Sequence, residues 1–174
     1  MSSNEDEAIE LAQTAVDQFP KFYAAAYVNR MRDKFGLYIS NDANDESDVT
    51  LMDEFLELLQ ADSVDFTLSF RALSQNDPEP LIELFNDKTS IKDWHARWYK
   101  RVEPSYDTHR MQQSNPAVIP RNHWIEATIQ SALQGNWDLF QEFEKALKTP
   151  YHEHATFSTP PDVEQRIQAT FCGT

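Results

Sequence analysis

Apolar residues recur three or four positions apart along almost the whole of this 174-residue chain. This spacing places them on one face of an α-helix, whereas a half-buried β-strand requires apolar and polar residues to alternate. No alternation of that kind persists, and no segment repeats at the period of a solenoid. The pattern therefore predicts an all-α fold, an irregular bundle of about seven to nine helices.

Signals at the helix ends refine this prediction. Asn4 and Ser90 each stand three positions before an acidic residue, the capping-box spacing, and so predict N-caps. Gly36 and Gly135 follow periodic segments and predict helix ends, and Pro20 predicts a kink or break. We expect one helical domain (1–174) made of a long kinked or broken helix (1–40), helices with an acidic loop (41–104), helices including a hairpin (105–150), and a loop, short helix and tail (151–174).

Composition excludes several classes of function. The chain has only three glycines, widely separated, so it contains no Gly-rich phosphate-binding loop. Its formal net charge of −14 disfavours partners with a phosphate backbone and anionic membrane surfaces, so we expect neither nucleic acid nor membrane as a partner. The first ten residues are acidic and polar, unlike a signal peptide, which favours a cytoplasmic location.

Two stretches are interpreted as structural. Residues 42–62 hold eight acidic residues and no basic one, and we interpret them as a solvated loop and helix face because splayed carboxylates do not converge on a cation. Trp94 and Trp98 lie four apart on an apolar stripe, and we expect both in the core.

Few residues could carry chemistry. His152 and His154 flank Glu153 in a loop and are weak metal-ligand candidates, because the sequence shows no third ligand beside them. Cys172 is the single cysteine, which excludes an internal disulfide. Two alternatives stay open for Cys172: a buried, inert thiol, or an exposed thiol that oxidises or pairs with another chain.

An ordered series of motifs resembles the C-terminal region of the selenoprotein O / YdiU proteins, a family of protein adenylyltransferases with a protein-kinase-like fold. The most specific is the M-x-x-x-N-P-x-x-I-P-R-N pattern, which includes Asn115, Pro116, Arg121 and Asn122. The other matching segments are residues 30–37, 65–74, 94–99, 150–151 and 171–174. Together they cover nearly the whole chain from Arg30.

The resemblance implies that the full-length parent transfers AMP from ATP to hydroxyl side chains of proteins and uses Mg or Mn. The family's Gly-rich loop, lysine, glutamate and metal-binding residues belong N-terminal to the matched region, so this chain alone is expected to hold no catalytic or cofactor-binding residue. Its implied partners are the kinase-like N-terminal part and the protein substrates. The family carries a redox-active cysteine or selenocysteine third from the end, the position of Cys172.

Two interpretations remain for the main motif. Asn115-Pro116 is typical of a rigid turn, Arg121 can pair with Glu126 or with a neighbouring helix, and Asn122 can cap the helix that follows. Alternatively, Arg121 faces the catalytic cleft of the parent and helps to hold the protein substrate. At the level of the whole chain, the alternative to an adenylyltransferase region is a stand-alone acidic helical interaction module. A metal hydrolase built on the two loop histidines is a third, remote hypothesis.

Overall fold

The computed structural model describes residues 2–38 and 46–165, and this part of the chain is helical with no β-strand. The prediction of an all-α fold is confirmed. The α-helices are α1 Ser2–Phe35, α2 Glu46–Asp62, α3 Phe66–Leu73, α4 Glu79–Ile82, α5 Lys88–Val102, α6 Thr108–Ser114, α7 Asn122–Leu133 and α8 Asp138–Leu147, and two 3-10 turns span Glu103–Ser105 and Val163–Gln165. No helix among the described residues has the length and apolar character needed to cross a bilayer.

The first helix is continuous through Pro20, so the alternative of a break at that position is wrong. It also begins at Ser2, so Asn4 lies inside it and is not its N-cap. The helix ends where predicted. Gly36 has a φ of 70°, a left-handed conformation that favours glycine, and a Cβ at this position would lie 2.8 Å from Met111 Sδ.

The main core lies between the end of α1 and helices α2 to α6, and it is built on aromatic side chains. Trp94 and Trp98 are fully buried, which confirms their predicted place. Their indole N–H groups donate to the carbonyls of Leu51 and Phe35, both at 2.9 Å, so neither ring leaves a buried donor unsatisfied. The core consists of Met31, Phe35, Leu37, Leu51, Met52, Phe55, Leu59, Phe70, Ala72, Leu73, Leu81, Ile82, Phe85, Ile91, Trp94, Trp98, Val102 and Met111.

A buried ion cluster ties α2 to its neighbours and corrects the interpretation of the acidic stretch. Asp48 is fully buried, and its two oxygens accept from Arg101 Nε (2.8 Å) and Nη2 (3.0 Å). Arg32 on α1 approaches the same carboxylate at 3.4 Å. Asp48 therefore does not face water, because two guanidinium groups replace its hydration inside the protein.

Asp residues cap three of the helices. Asp65 accepts from Leu68 N at 2.9 Å at the start of α3. Asp87 caps α5, so the predicted N-cap at Ser90 is wrong and Ser90 instead supplies one of the capped N–H groups. Asp107 caps α6 by accepting from Arg110 N at 3.0 Å.

The predicted hairpin is formed by α7 and α8, which turn at Gly135 with a φ of 85°. One side of the hairpin packs on a second, smaller core, in which Phe157 lies 5.0 Å from the rings of both Trp124 and Phe143. The backbone N–H groups of Ala117 and Val118 both donate to the carbonyl of Pro150. These contacts hold the hairpin to the second core and to the segment that follows α6.

Candidate functional site

The motif residue Asn115 lies at the junction of three helices. Its Nδ2 donates to the carbonyl of Lys34 (2.8 Å) and to Ser74 Oγ (2.9 Å), and its Oδ1 accepts from Lys34 Nζ (3.0 Å). Because Asn115 is fully buried, every one of these bonds replaces a bond to water. The following residue, Pro116, is half-buried and starts the turn toward the hairpin.

Lys34 enters this junction across apolar surface. Its ammonium lies 4.9 Å from the ring of Phe70 and 5.4 Å from that of Phe66, within cation–π range. Burial lowers the pKa of Lys34 from its ordinary value. A lysine held in this way serves to fix the end of α1 against α3.

Arg71 continues the junction toward the loop after α8. Its Nη1 donates to the carbonyls of Gln112 (3.2 Å) and Asn115 (3.1 Å), and its Nε donates to Glu153. Arg71 was not among the predicted site residues, although it lies in the matched segment 65–74. Membership of that segment was the signal that could have found it.

The motif residue Arg121 is buried and forms a bidentate pair with Asp65. Its Nη1 and Nη2 donate to the two carboxylate oxygens at 2.6 and 2.9 Å. The partner is therefore on a neighbouring helix, and Glu126 accepts from Gln130 instead. Burial alone raises the pKa of Asp65, but the hydrogen bonds from Arg121 and Leu68 N outweigh it, and the pKa is lowered.

Asn122 does not cap the helix that follows. It is the first residue of α7, its N-cap is Arg121, and that cap makes no side-chain hydrogen bond. Beside it, the buried Nδ1 of His123 and Nε of Arg121 have no hydrogen-bond partner. Burial lowers the pKa of His123, and the positive charge of Arg121 lowers it further.

The two candidate metal ligands do not converge. His152 is exposed, while the half-buried His154 accepts from Phe157 N through Nδ1 (3.3 Å) and stacks on the Phe157 ring. The intervening Glu153 points to Arg71. Across residues 2–38 and 46–165, no group of three or more His, Cys, Asp or Glu side chains could hold a metal ion. Cys172, the redox candidate, lies outside the described residues.

The outer face of the hairpin forms an apolar groove that the sequence analysis did not foresee. The groove has a volume of about 550 Å³. Its exposed side chains come from both helices and the turn. They are Ile125, Ile129, Leu133, Trp137 and Phe140.

A second exposed apolar surface runs along the first two thirds of α1. Phe19, Tyr23 and Tyr27 stack in succession at helical spacing, with ring centroids 5.9 and 6.2 Å apart. The exposed large apolar residues of this surface are Ile9, Leu11, Val16, Phe19, Phe22, Tyr23 and Tyr27. We call it the α1 stripe. Contiguous exposed apolar surface of this extent indicates an interface.

Fold and surfaces together define an all-α protein region with a closed core and two apolar faces that the described residues leave exposed. Residues 7–148 match the model of the family described as protein adenylyltransferase SelO, and the chain belongs to this family. The match confirms the resemblance that the ordered series of motifs indicates.

Individual relatives agree. A protein nucleotidyltransferase YdiU of Rhodopseudomonas palustris is 38% identical over 188 residues, which cover 100% of this chain and 37% of the relative. Proteins of the same name from Bradyrhizobium diazoefficiens and Geobacillus kaustophilus are each 35% identical, and the matches cover 98% and 100% of this chain. The chain thus spans somewhat more than a third of the length of the curated relatives it matches.

Proposed function

We propose that this chain is the helical C-terminal region of a cytoplasmic protein adenylyltransferase. The parent transfers AMP from ATP to Ser, Thr or Tyr hydroxyls of other proteins, and a nucleotidyltransferase family supports that reaction class. The observation that carries the proposal is the pair of apolar faces that residues 2–38 and 46–165 leave exposed, in a chain that matches only 37% of a relative's length. A region cut from a larger protein exposes the faces that the larger protein buries.

The chemistry belongs to the other part of the parent in this proposal. The three glycines of the chain lie too far apart to form a phosphate-binding loop for ATP, and residues 2–38 and 46–165 hold no group of three or more side chains that could ligate Mg or Mn. The kinase-like part supplies that site. This chain packs on it through the α1 stripe, where seven large apolar side chains have no other cover among the described residues.

Arg121 has a proposed second role at the substrate-docking side of the parent. Its Nη atoms are engaged by Asp65, whereas its Nε and the neighbouring His123 Nδ1 are without partners. The residues Arg121 and His123 both line a cavity of about 480 Å³ at the start of α7. In the parent, Arg121→Ala and Arg121→Lys should both raise KM for the protein substrate. Unchanged kinetics with a lower melting temperature would leave Arg121 with a structural role alone.

Cys172 is proposed as a redox residue that forms a disulfide with a cysteine in the kinase-like part. The two thiols lose two protons and two electrons to a disulfide oxidant such as oxidised glutathione. Mass spectrometry of the oxidised, non-reduced parent should recover a cross-linked peptide that contains Cys172. Its absence after complete oxidation would refute this role.

The proposal as a whole is tested by reading the coding sequence on both sides of this chain and assaying the encoded protein with labelled ATP. A parent with a kinase-like part should label protein substrates with AMP, while the 174-residue chain alone should not. If the natural protein is this chain alone, the same apolar faces favour the second candidate, a stand-alone acidic helical interaction module.

A further inference from the structure

The groove on the α7/α8 hairpin has the length and the walls needed to bind one helix. Its walls are two antiparallel helices of 12 and 10 residues, which at 1.5 Å per residue are about 18 and 15 Å long. About three turns of a third helix fit along them. An amphipathic helix bound in such a groove inserts apolar side chains spaced i, i+3 or i+4, and i+7.

The lining of the groove argues against a small polar ligand. Small-molecule sites carry a few free polar groups that orient the ligand. Here Thr128 donates its hydroxyl to the carbonyl of Ile125 (2.7 Å), and Glu144 is paired with Lys148 (2.9 Å). The remaining lining is apolar, so the groove suits aliphatic and aromatic side chains of a protein.

The bound helix could come from a second copy of this chain or from another segment of the parent, and chain length and charge favour the second source. The first relative covers all of this chain with only 37% of its own length, so most of such a parent lies outside the structure. A second copy would bring together two chains that each carry a net charge of −14, which opposes self-association. The occupant that fits both facts is a segment of the parent itself.

We propose that the α7/α8 groove binds a short amphipathic helix from the part of the parent polypeptide that lies outside this chain. The inference rests on the proposed function, because it requires a longer parent. It is distinct from packing through the α1 stripe, since the groove lies on other helices at the far end of the sequence.

The test uses the complete 174-residue chain and overlapping peptides of about 20 residues, a length sufficient for several helical turns. The peptides tile the part of the Rhodopseudomonas palustris relative that this chain does not match. One contiguous set should bind, and Ile129→Asp should weaken it at least about tenfold by placing a charge in the groove. Tyr99→Asp places a charge at an exposed aromatic side chain of α5 that lies outside both apolar surfaces, and as the matched control it should leave peptide binding unchanged.

Leu133→Asp provides a second groove variant at a side chain that is 76% exposed, so its folding is not at risk. Circular dichroism checks both variants. The proposal is overturned if no peptide binds, if Ile129→Asp and Leu133→Asp bind like the unchanged chain, or if a dimer forms that these substitutions dissociate. Failure of the proposed function would show separately, as absence of AMP transfer by the full-length parent of this chain.

Discussion

The main core and the α7/α8 hairpin use the same residue types with opposite results. Trp98 lies at a helical stripe position in the core and is fully buried, whereas Trp137 begins a comparable stripe and is 55% exposed. The local sequence around each predicts a face that avoids water. The difference lies in the neighbours: Trp98 belongs to the cluster of buried apolar residues that α1 to α6 build together, whereas the described residues leave more than half of Trp137 exposed. An apolar stripe on a helix predicts that this face is buried, but it does not identify the element or partner that buries it.

The main core and the hairpin also differ in the role of their polar contacts. The main core is closed by buried polar side chains, Asp48 and Asn115, whose bonds join separate helices. The hairpin is held to it by the Arg121–Asp65 pair and by the carbonyl of Pro150. Because such directional bonds are costly to leave unmade, they fix how the hairpin sits while its outer face stays open.

The largest expected effect compares the two tryptophans directly. Trp98→Ala should lower the free energy of unfolding by about 3–5 kcal/mol, because it empties a closed core. Trp137→Ala should lower it by less than about 1 kcal/mol, because the ring is already in contact with water. Urea unfolding followed by circular dichroism measures both. Equal losses would show that the hairpin is as closed as the core.

The next effect tests the ion cluster at α2. Asp48→Ala should lower the free energy of unfolding by about 3 kcal/mol, because it removes the carboxylate that pairs with the buried guanidinium of Arg32. Asp53→Ala removes an exposed carboxylate from the same helix and should change the free energy of unfolding by no more than about 0.5 kcal/mol. A small loss for both variants would mean that Asp48 is solvated after all.

Local rules predicted the helices well and tertiary partners poorly. Periodicity and glycine positions located the hairpin and the end of α1, because helix formation and termination depend on neighbouring residues. Asp48 was interpreted as solvated, since charge alone does not show that Arg101, 53 positions away, turns toward it. Likewise, the exposed side chains of the groove have the same helical spacing as buried core residues, so the sequence pattern does not distinguish the two.

The candidate site was predictable in its members but not in its geometry. The motif series placed Asn115 and Arg121 among the important residues, and the structure gives both of them buried polar partners. Capping rules assigned Asn122 to the N-cap of α7, but the helix begins one residue earlier because Arg121 is held in place by Asp65. Such long-range pairs have no signature in the spacing of a single sequence.

The Arg121–Asp65 pair predicts a pH-dependent attachment of the hairpin. Asp65→Asn keeps an N-cap for α3 but removes the ion pair, and should cost about 1–2 kcal/mol near neutral pH. The folded-state pKa of Asp65 is lowered, so this stabilisation is present above the unfolded pKa of 3.8 and is lost as the pH falls through the folded value. Unfolding of both forms across this range should show the two curves converging in acid.

Asp107→Asn serves as the control for that measurement. Asp107 caps α6 through Arg110 N, so its replacement tests the cap without breaking a bidentate guanidinium pair. Its effect should be a few tenths of a kcal/mol, since asparagine is an equally good N-cap. If the difference in the free energy of unfolding between the unchanged chain and Asp65→Asn does not vary with pH, the assigned role of the ion pair is contradicted.

The smallest expected effect concerns the α1 stripe. In this chain, Phe22→Ser should change the free energy of unfolding by no more than about 0.5 kcal/mol, because the ring is 65% exposed, whereas Met31→Ser, inside the core on the same helix, should cost several times more. In the parent, the Phe22 substitution should become costly, since the proposed catalytic part would cover the ring. Thermal unfolding of both proteins with the same substitution measures this difference. A Phe22→Ser variant that is neutral in both would show that the stripe is not the surface on which the two parts meet.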